Sequence, residues 1–271
     1  MGATHALSAA AAFLALVAFV PGFLKWAGFN SVAVVVLAGL VLVGMSLISD
    51  LDNSASTAKS SLGIFGHGLS FLFINSSRVI QTVIRTSRDD PDPNPHRGFW
   101  HTIPAALLLG FLTFLATSLP GSISLPLYGE VSFSWLIAFL ICGISVHLAL
   151  AGLFNSAVKK VRKGSPFGEI IAFVIALVLT GLLFNFIPKD ESFAWLSLAV
   201  FLGVVAHILG DAFTTDGVPL FFPLSYFMHR KFWWKTRFTK MHAGGPAEKF
   251  VMIPLFGLLL LISVAKIFHL F

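Results

Sequence analysis

Seven long runs of apolar residues alternate with shorter polar segments along the chain. The runs lie at roughly 6–24, 31–48, 103–119, 131–155, 168–187, 193–213 and 250–270. A helix that crosses the hydrocarbon core of a bilayer needs about 20 mostly apolar residues, and each run is this long or nearly so. The pattern therefore predicts an all-α, polytopic membrane protein with about seven transmembrane helices in one integral membrane domain, residues 1–271.

A further apolar stretch at residues 62–74 is too short to cross a bilayer. Apolar residues continue behind it at Val79, Ile80, Val83 and Ile84, which is helical spacing. This pattern is typical of a helix that lies along the membrane interface or re-enters the membrane from one side. We therefore expect an interfacial or re-entrant helix near 62–86.

Composition agrees with a membrane protein, because only 11% of the residues are charged, compared with about 25% in soluble domains. In a membrane protein, basic residues report orientation, since cytoplasmic loops hold an excess of Lys and Arg. The loops 49–102, 156–167 and 214–249 contain 15 of the 18 basic residues. These loops, and with them the N-terminus, are therefore predicted to be cytoplasmic, and the C-terminus to lie outside.

The net charge of +6 would suggest a nucleic-acid partner in a soluble chain. Aromatic and basic residues also alternate in the stretch PLFFPLSYFMHRKFWWKTRF. Because this stretch adjoins a predicted span, we expect it to contact anionic headgroups of membrane lipids, and we expect no nucleic-acid partner. The single cysteine, Cys142, excludes a disulfide framework and a Cys-based zinc ribbon.

Ionisable side chains in apolar runs are costly to bury, so they are functional candidates by default. Seven of them gather at the predicted cytoplasmic boundary of four spans: His5, Asp50, Asp52, His96, His101, His207 and Asp211. Three carboxylates and four imidazoles predict a site for one or more divalent metals. A His and Asp shell without Cys favours Zn²⁺, with Mn²⁺ as a second candidate, over Mg²⁺.

Spacing supports two of the pairs. His207 and Asp211 are four residues apart on a predicted helix, so both side chains can reach one ion. The alternative is a histidine that bonds a neighbouring helix and an aspartate that ends the span. Asp50 and Asp52 flank Leu51, and they would point to the same side if the chain leaves the helix extended. Their alternative role is that of a helix cap or a solvated helix end.

The segment DDPDPNPHRGFWHT precedes the third span. Its three prolines between 91 and 95 forbid a helix, so His96 and Arg97 are expected just before the span begins. His96 and His101 are five residues apart and can face one site only if His96 lies in the preceding turn. Arg97 would then lie beside the cluster and clamp a phosphate or carboxylate of a substrate. Its alternative is a snorkelling cation at lipid headgroups.

The remaining acidic residues and histidines give weaker signals. His147, inside the fourth predicted span, is expected to be a buried, hydrogen-bonded histidine rather than a support for a ligand. Glu248 would be either a helix-start carboxylate or an outer ligand. Residues expected to be solvated, or without a partner at informative spacing, are Asp89, Asp90, Asp92, His67, His229, His242 and His269.

The ordered motifs THALS, SDLD, HRGFWHT and GVVAHILGDAFTTDGVPLFFPLS, followed by GGPAE, resemble the YdjM-like family of membrane-bound proteins assigned as metal-dependent hydrolases. The resemblance runs from the first residues to about Glu248. It implies that the family's shared polar set consists of His5, Asp50, Asp52, His96, Arg97, His101, His207 and Asp211. Ser49, Trp100 and Thr102 depart from residues common in the family, but none of these changes removes a ligand.

The leading hypothesis is a membrane-embedded, metal-dependent hydrolase at the cytoplasmic face of the inner membrane. It would cleave a phosphoester of a lipid or of a membrane-associated substrate. Asp50 or Asp52 would bridge two ions or accept a proton, and Arg97 would hold the substrate phosphate. Two alternatives use the same residues: an ion or metal transporter, and a non-catalytic membrane scaffold.

Overall fold

The computed structural model describes residues 2–53, 55–87, 89, 95–125, 129–154, 167–188, 191–228, 233–239, 241–242 and 244–268, and this part of the chain is mostly helical. Its α-helices are α1 (Gly2–Phe19), α2 (Phe23–Trp26), α3 (Val32–Met45), α4 (Thr57–Ser61), α5 (Gly63–Ile84), α6 (Ile103–Thr117), α7 (Phe133–Leu153), α8 (Gly168–Phe184), α9 (Ala194–Ala212) and α10 (Ile253–Ile267). Short 3₁₀ turns cover Ser49–Asp52, Phe99–His101 and Leu224–Tyr226, and a π-helical turn covers Glu248–Met252.

Five helical segments are long and apolar enough to cross a bilayer: Gly2–Phe19, Val32–Asp52, Phe133–Leu153, Ala194–Ala212 and Glu248–Ile267. Two more apolar helices, α6 and α8, have 15 and 17 residues. At about 1.5 Å per residue they are shorter than the ~30 Å hydrocarbon core. The helical architecture is therefore as predicted, but five of the seven predicted spans qualify by length and composition in the described chain.

The first helix differs from its predicted range of 6–24. It begins at Gly2 and ends at Phe19, because Pro21 has no backbone N–H to continue it. Gly22 then adopts a left-handed conformation with φ of 76°, and the short helix α2 follows. His5, the fourth residue of α1, therefore lies in the first turn of the helix, at the predicted end.

A short β-hairpin connects α6 and α7 and was not predicted. Strands β1 (Ser122–Leu125) and β2 (Gly129–Ser132) pair antiparallel, with Ser122 opposite Ser132. Ser132 ends β2 and caps the next helix, since its Oγ accepts a hydrogen bond from the Trp135 N–H at 3.2 Å. The fourth predicted span therefore begins at Phe133 and not at 131.

The helix predicted near 62–86 is present as α5. Its outward face is apolar and includes Ile64, Phe71 and Val83, which are 81%, 67% and 77% exposed. Its inward face is small and polar, with Ser77 and Gln81 buried. This distribution is the inverse of that in a soluble amphipathic helix, and it fits a helix whose outer face touches lipid.

Helix α3 is the centre of the bundle and packs against α1, α7 and α9. Two glycines allow the helices to approach closely. A Cβ on Gly44 would lie 2.0 Å from the Ser145 carbonyl oxygen of α7, and a Cβ on Gly203 would lie 2.5 Å from the Leu42 carbonyl oxygen of α3. Small residues at such contacts are typical of helix packing in membranes, where close van der Waals contact drives association.

Candidate metal centre

Four separate parts of the chain deliver the eight predicted polar residues to one end of the bundle. Helix α1 contributes one, the 3₁₀ turn after α3 two, the loop before α6 three, and the last turns of α9 two. Their mutual contacts form a single connected cluster: His5, Asp50, Asp52, His96, Arg97, His101, His207 and Asp211. The side chains of His96 and Asp50 are the most open, at 28% and 13% exposure.

A backbone carbonyl fixes the protonation of His207. Its Nδ1 lies 2.6 Å from the Ser46 carbonyl oxygen, at the end of α3. A carbonyl oxygen can only accept, so Nδ1 carries the proton. In the neutral ring Nε2 then has a lone pair, and this atom lies 3.1 Å from Nε2 of His101. The ring is thus oriented as in metal-binding histidines that donate their other N–H to a carbonyl.

Asp52 supports two histidines. Its Oδ1 lies 2.9 Å from His96 Nδ1, and its Oδ2 lies 3.2 Å from His101 Nδ1. The contact between Oδ2 and His101 Nδ1 does not have hydrogen-bond geometry. Neither of these two atoms has a hydrogen-bond partner within the described chain. A carboxylate beside Nδ1 draws the proton there, which leaves a lone pair on His101 Nε2. Two lone pairs 3.1 Å apart require a proton or a cation to hold them together.

Three donor atoms have the mutual spacing of metal ligands, and a carboxylate oxygen of Asp50 lies next to one of them. His207 Nε2 lies 3.1 Å from His101 Nε2, 3.6 Å from Asp211 Oδ2 and 3.7 Å from Asp50 Oδ1. His101 Nε2 lies 3.4 Å from the same Asp211 oxygen. The ligands of a tetrahedral Zn²⁺ ion, with bonds of about 2.0–2.1 Å, are separated by about 3.4 Å. The residues present therefore fit a divalent metal with a mixed nitrogen and oxygen shell.

His5 extends the cluster on one side. Its Nε2 lies 3.3 Å from Asp211 Oδ1, and its ring is 4.2 Å from the ring of His207. Two groups of three have donor atoms within 4.8 Å of one another: His5, His207 and Asp211, and separately Asp50, His96 and His101. The cluster thus has enough donors for more than one ion.

The backbone at SDLD corrects one expectation. Residues Ser49–Asp52 form a 3₁₀ turn and not an extended exit from the helix. Asp50 and Asp52 therefore do not point in one direction: Asp50 faces His207, whereas Asp52 faces His96 and His101. Both carboxylates still reach the cluster, because Leu51 between them is fully buried and anchors the turn.

Arg97 lies beside the cluster as expected, but its guanidinium is engaged within the protein. Nε and Nη2 each lie 3.1 Å from an oxygen of Asp211, which gives a two-pronged ion pair. Nη1 donates to Thr214 Oγ1 at 2.5 Å and lies 3.6 Å from the exposed Asp216. The pair neutralises Asp211, and Nη1 is the part of Arg97 closest to an exposed carboxylate.

Helix α5 holds the loop that carries His96, Arg97 and His101. Ser77 Oγ donates to the Pro95 carbonyl at 2.9 Å and accepts from the Phe99 N–H at 3.2 Å. Gln81 donates to the same Ser77 oxygen at 2.9 Å. The Trp100 indole N–H donates to the Phe73 carbonyl at 3.1 Å. The polar inner face of α5 therefore fixes the position of the ligand-bearing loop.

Two residues with weaker signals have structural partners. His147 Nε2 donates to the Ser61 carbonyl at 2.8 Å, which confirms a buried, hydrogen-bonded histidine. Glu248, at the start of the π-helical turn, accepts from Thr4 Oγ1 and from the Gly244 N–H. Its carboxylate thus connects the end of the 214–249 loop to α1.

Of the other acidic residues and histidines, His67 and His242 are exposed, as expected. Asp89 was expected to be solvated, but it accepts from the Thr86 N–H at 2.8 Å and from the Trp233 N–H at 3.0 Å. It therefore joins two loops. Four residues lie outside the described residues: Asp90, Asp92, His229 and His269.

Sequence patterns did not indicate four residues that complete the site: Ser46, Thr214, Asp216 and Lys235. Ser46 contributes its backbone carbonyl, which no sequence pattern marks. Thr214 and Asp216 can be assigned to the site only once their contacts with Arg97 are known. Lys235 is half-buried, and burial lowers the pKa of its ammonium. The charge of Arg97 acts in the same direction, whereas Asp216 and Asp52 partly offset both effects. Lys235 therefore lies near enough to the cluster for the charges of Arg97, Asp216 and Asp52 to act on it.

Comparison with protein families matches residues 1–159 and 169–270 to the family described as YdjM inner membrane protein. The match covers nearly the whole chain and includes every residue of the cluster. No curated protein and no solved structure gives a significant match. The chain therefore belongs to the YdjM inner membrane protein family.

Proposed function

We propose that this protein is a metal-dependent hydrolase of the inner membrane that cleaves phosphoesters of lipids or of membrane-associated substrates. The observation that carries the proposal is the arrangement of donor atoms around His207 Nε2, at 3.1–3.7 Å from His101, Asp211 and Asp50. The histidine nitrogens favour Zn²⁺, or Mn²⁺, over Mg²⁺.

A bound divalent cation would neutralise charge on a phosphoryl group and lower the pKa of the attacking water. Asp50 is the better of the two candidate bases, because both oxygens of Asp52 face histidines. As the water oxygen bonds to phosphorus and the ester P–O bond breaks, the second oxygen of Asp50 would take one water proton. Returning that proton to the leaving alkoxide gives an alcohol and a phosphate.

The Arg97 guanidinium supports an anionic substrate, because one of its nitrogens faces an exposed carboxylate. Arg97 Nη1 lies 3.6 Å from Asp216, whose side chain is 69% exposed. A substrate phosphate that displaces this aspartate would meet Nη1, with the Lys235 ammonium nearby. Arg97 would thus hold Asp211 on one side and the substrate on the other.

The proposal includes an arrangement in the membrane. The helices α1, α3, α6, α7, α8, α9 and α10 would be seven spans, with α6 and α8 accommodated by local thinning of the bilayer. The bias of basic residues among the loops then makes the N-terminus and the active face cytoplasmic.

The test is phosphoester hydrolysis by purified protein that has been stripped of metal and reloaded with Zn²⁺ or Mn²⁺. Phosphatidic acid in mixed micelles and the soluble ester bis(p-nitrophenyl) phosphate would be the substrates. We expect turnover that requires metal and falls at least 10²-fold in Asp50→Asn.

The exposed histidine substitution His67→Gln serves as the matched control and should leave turnover unchanged. Metal-loaded protein without activity on either ester would contradict the proposal. Metal uptake into proteoliposomes that Asp211→Asn abolishes would instead favour a transporter.

A further inference from the structure

An apolar cavity of about 510 Å³ lies between α1, α9 and α10. This volume falls in the range of ~300–1,000 Å³ typical of ligand sites. Side chains from all three helices line it, among them Ala12, Leu209, Leu255 and Phe256. The cavity is separate from the donor atoms of the candidate metal centre, because its lining does not include His101, His207, Asp50 or Asp211.

The cavity ends at the candidate metal centre. His5 lines it and contacts Asp211 at 3.3 Å. Thr214 also lines it and accepts a hydrogen bond from Arg97. The polar groups of Thr4 and Glu248 at the same end bond to each other. One end of the cavity therefore reaches the polar cluster, and the accessible lining is almost entirely apolar.

The wall formed by α10 faces outward. This helix packs against α1, and Ser263 is its one buried residue in the described chain. Leu255 is 53% exposed although it lines the cavity. In a bilayer the exposed face of α10 would contact lipid chains, so this one helix separates the cavity from the hydrocarbon core.

We propose that this cavity binds one acyl chain of a membrane phospholipid whose phosphate group lies at the metal centre. The inference rests on the proposed function for the position of the phosphate. The bilayer supplies the chain, the cavity walls match it chemically, and His5 and Thr214 place its polar end beside Asp211 and Arg97. The cavity would thus bind the acyl chain of the substrate, and the phosphoester of its headgroup would be hydrolysed at the metal centre.

Photolabelling tests the binding without turnover. The probe is phosphatidic acid with a diazirine on one acyl chain, incorporated into phosphatidylcholine nanodiscs with the full chain. We expect labelling of cavity-lining residues such as Met252 and Phe256. In Leu255→Trp and Ala12→Trp, which fill the cavity, labelling should fall about tenfold, because the indole occupies the space of the acyl chain.

Leu258→Trp is the matched control, since Leu258 lies on the same helix with 54% exposure but does not line the cavity. Its labelling should equal that of the wild type. Labelling spread over the exposed helix faces, or unchanged in Leu255→Trp, would overturn the inference. Specific labelling of the cavity in metal-loaded protein that hydrolyses no ester would instead keep the inference and reject the proposed function.

Discussion

At the scale of single residues, the cluster depends on which nitrogen of each imidazole carries a proton. The Ser46 carbonyl sets this for His207, and the Asp52 carboxylate sets it for His101. Both Nε2 atoms therefore face each other with lone pairs, an arrangement that is stable only with a cation or a shared proton between them. Metal binding therefore depends on the Ser46 carbonyl and the Asp52 carboxylate as well as on the ligand histidines.

Asp52→Asn tests this dependence. The amide keeps the shape of the side chain but removes the charge that holds protons on His96 and His101 Nδ1. We expect metal affinity to fall by about 10–100-fold, because supporting carboxylates typically contribute that much. Competition with a fluorescent zinc chelator would measure it. Affinity within twofold of the wild type would contradict the assigned role of Asp52.

Arg97→Met tests the buried ion pair. The change leaves Asp211 charged and 1% exposed without its two guanidinium contacts. We expect a loss of up to about 3–5 kcal/mol in unfolding free energy, because the buried Asp211 charge keeps only its histidine contacts. Denaturant unfolding in detergent micelles is the measurement. The double variant Arg97→Met/Asp211→Asn should recover part of the loss, and an equal or larger loss in it would refute the pairing.

At the scale of elements, α5 acts as a frame for the ligand-bearing loop. Ser77→Ala removes a hydroxyl that serves the Pro95 carbonyl, the Phe99 N–H and the Gln81 amide. We expect a cost of about 1–3 kcal/mol from the unsatisfied buried groups, together with weaker metal binding. Thermal unfolding and metal titration measure the two effects.

The control for Ser77→Ala is Thr82→Ala on the same helix. Thr82 is exposed, and its hydroxyl donates to the Arg78 carbonyl one turn earlier. It should change neither stability nor metal binding. Equal effects of the two substitutions would show that α5 does not fix the loop.

The same elements show what the sequence can predict. His207 and Asp211 were predicted from a spacing of four on one helix, and the structure brings them together. The 3₁₀ turn at Ser49–Asp52 and the contact of Arg97 with Asp211 were not predicted. Both depend on packing between segments far apart in the chain, which local periodicity does not encode. Ser46 is invisible to sequence reasoning, because any residue offers a carbonyl.

At the scale of the whole molecule, the arrangement in the membrane is the main expectation. Single cysteines in a Cys142→Ala background can test it, since the native thiol is fully buried. Ser124→Cys in the exposed hairpin should react with an impermeant maleimide in right-side-out vesicles. Ser87→Cys, exposed after α5, should react only after permeabilisation. The reverse labelling pattern would show that the orientation is opposite to the predicted one. Equal labelling of both cysteines from outside would contradict the proposal that the two sites lie on opposite sides of the membrane.

Metal stoichiometry in the purified protein is the most direct test of the account. We predict at least one Zn²⁺ or Mn²⁺ per chain by elemental mass spectrometry, lost in His207→Gln and retained in His147→Gln. The two histidines are matched, because each is buried and donates to a backbone carbonyl, at 2.6 Å to Ser46 and 2.8 Å to Ser61. Wild-type protein without stoichiometric metal after growth in zinc- and manganese-replete medium, or equal metal content in both variants, would contradict the metal centre.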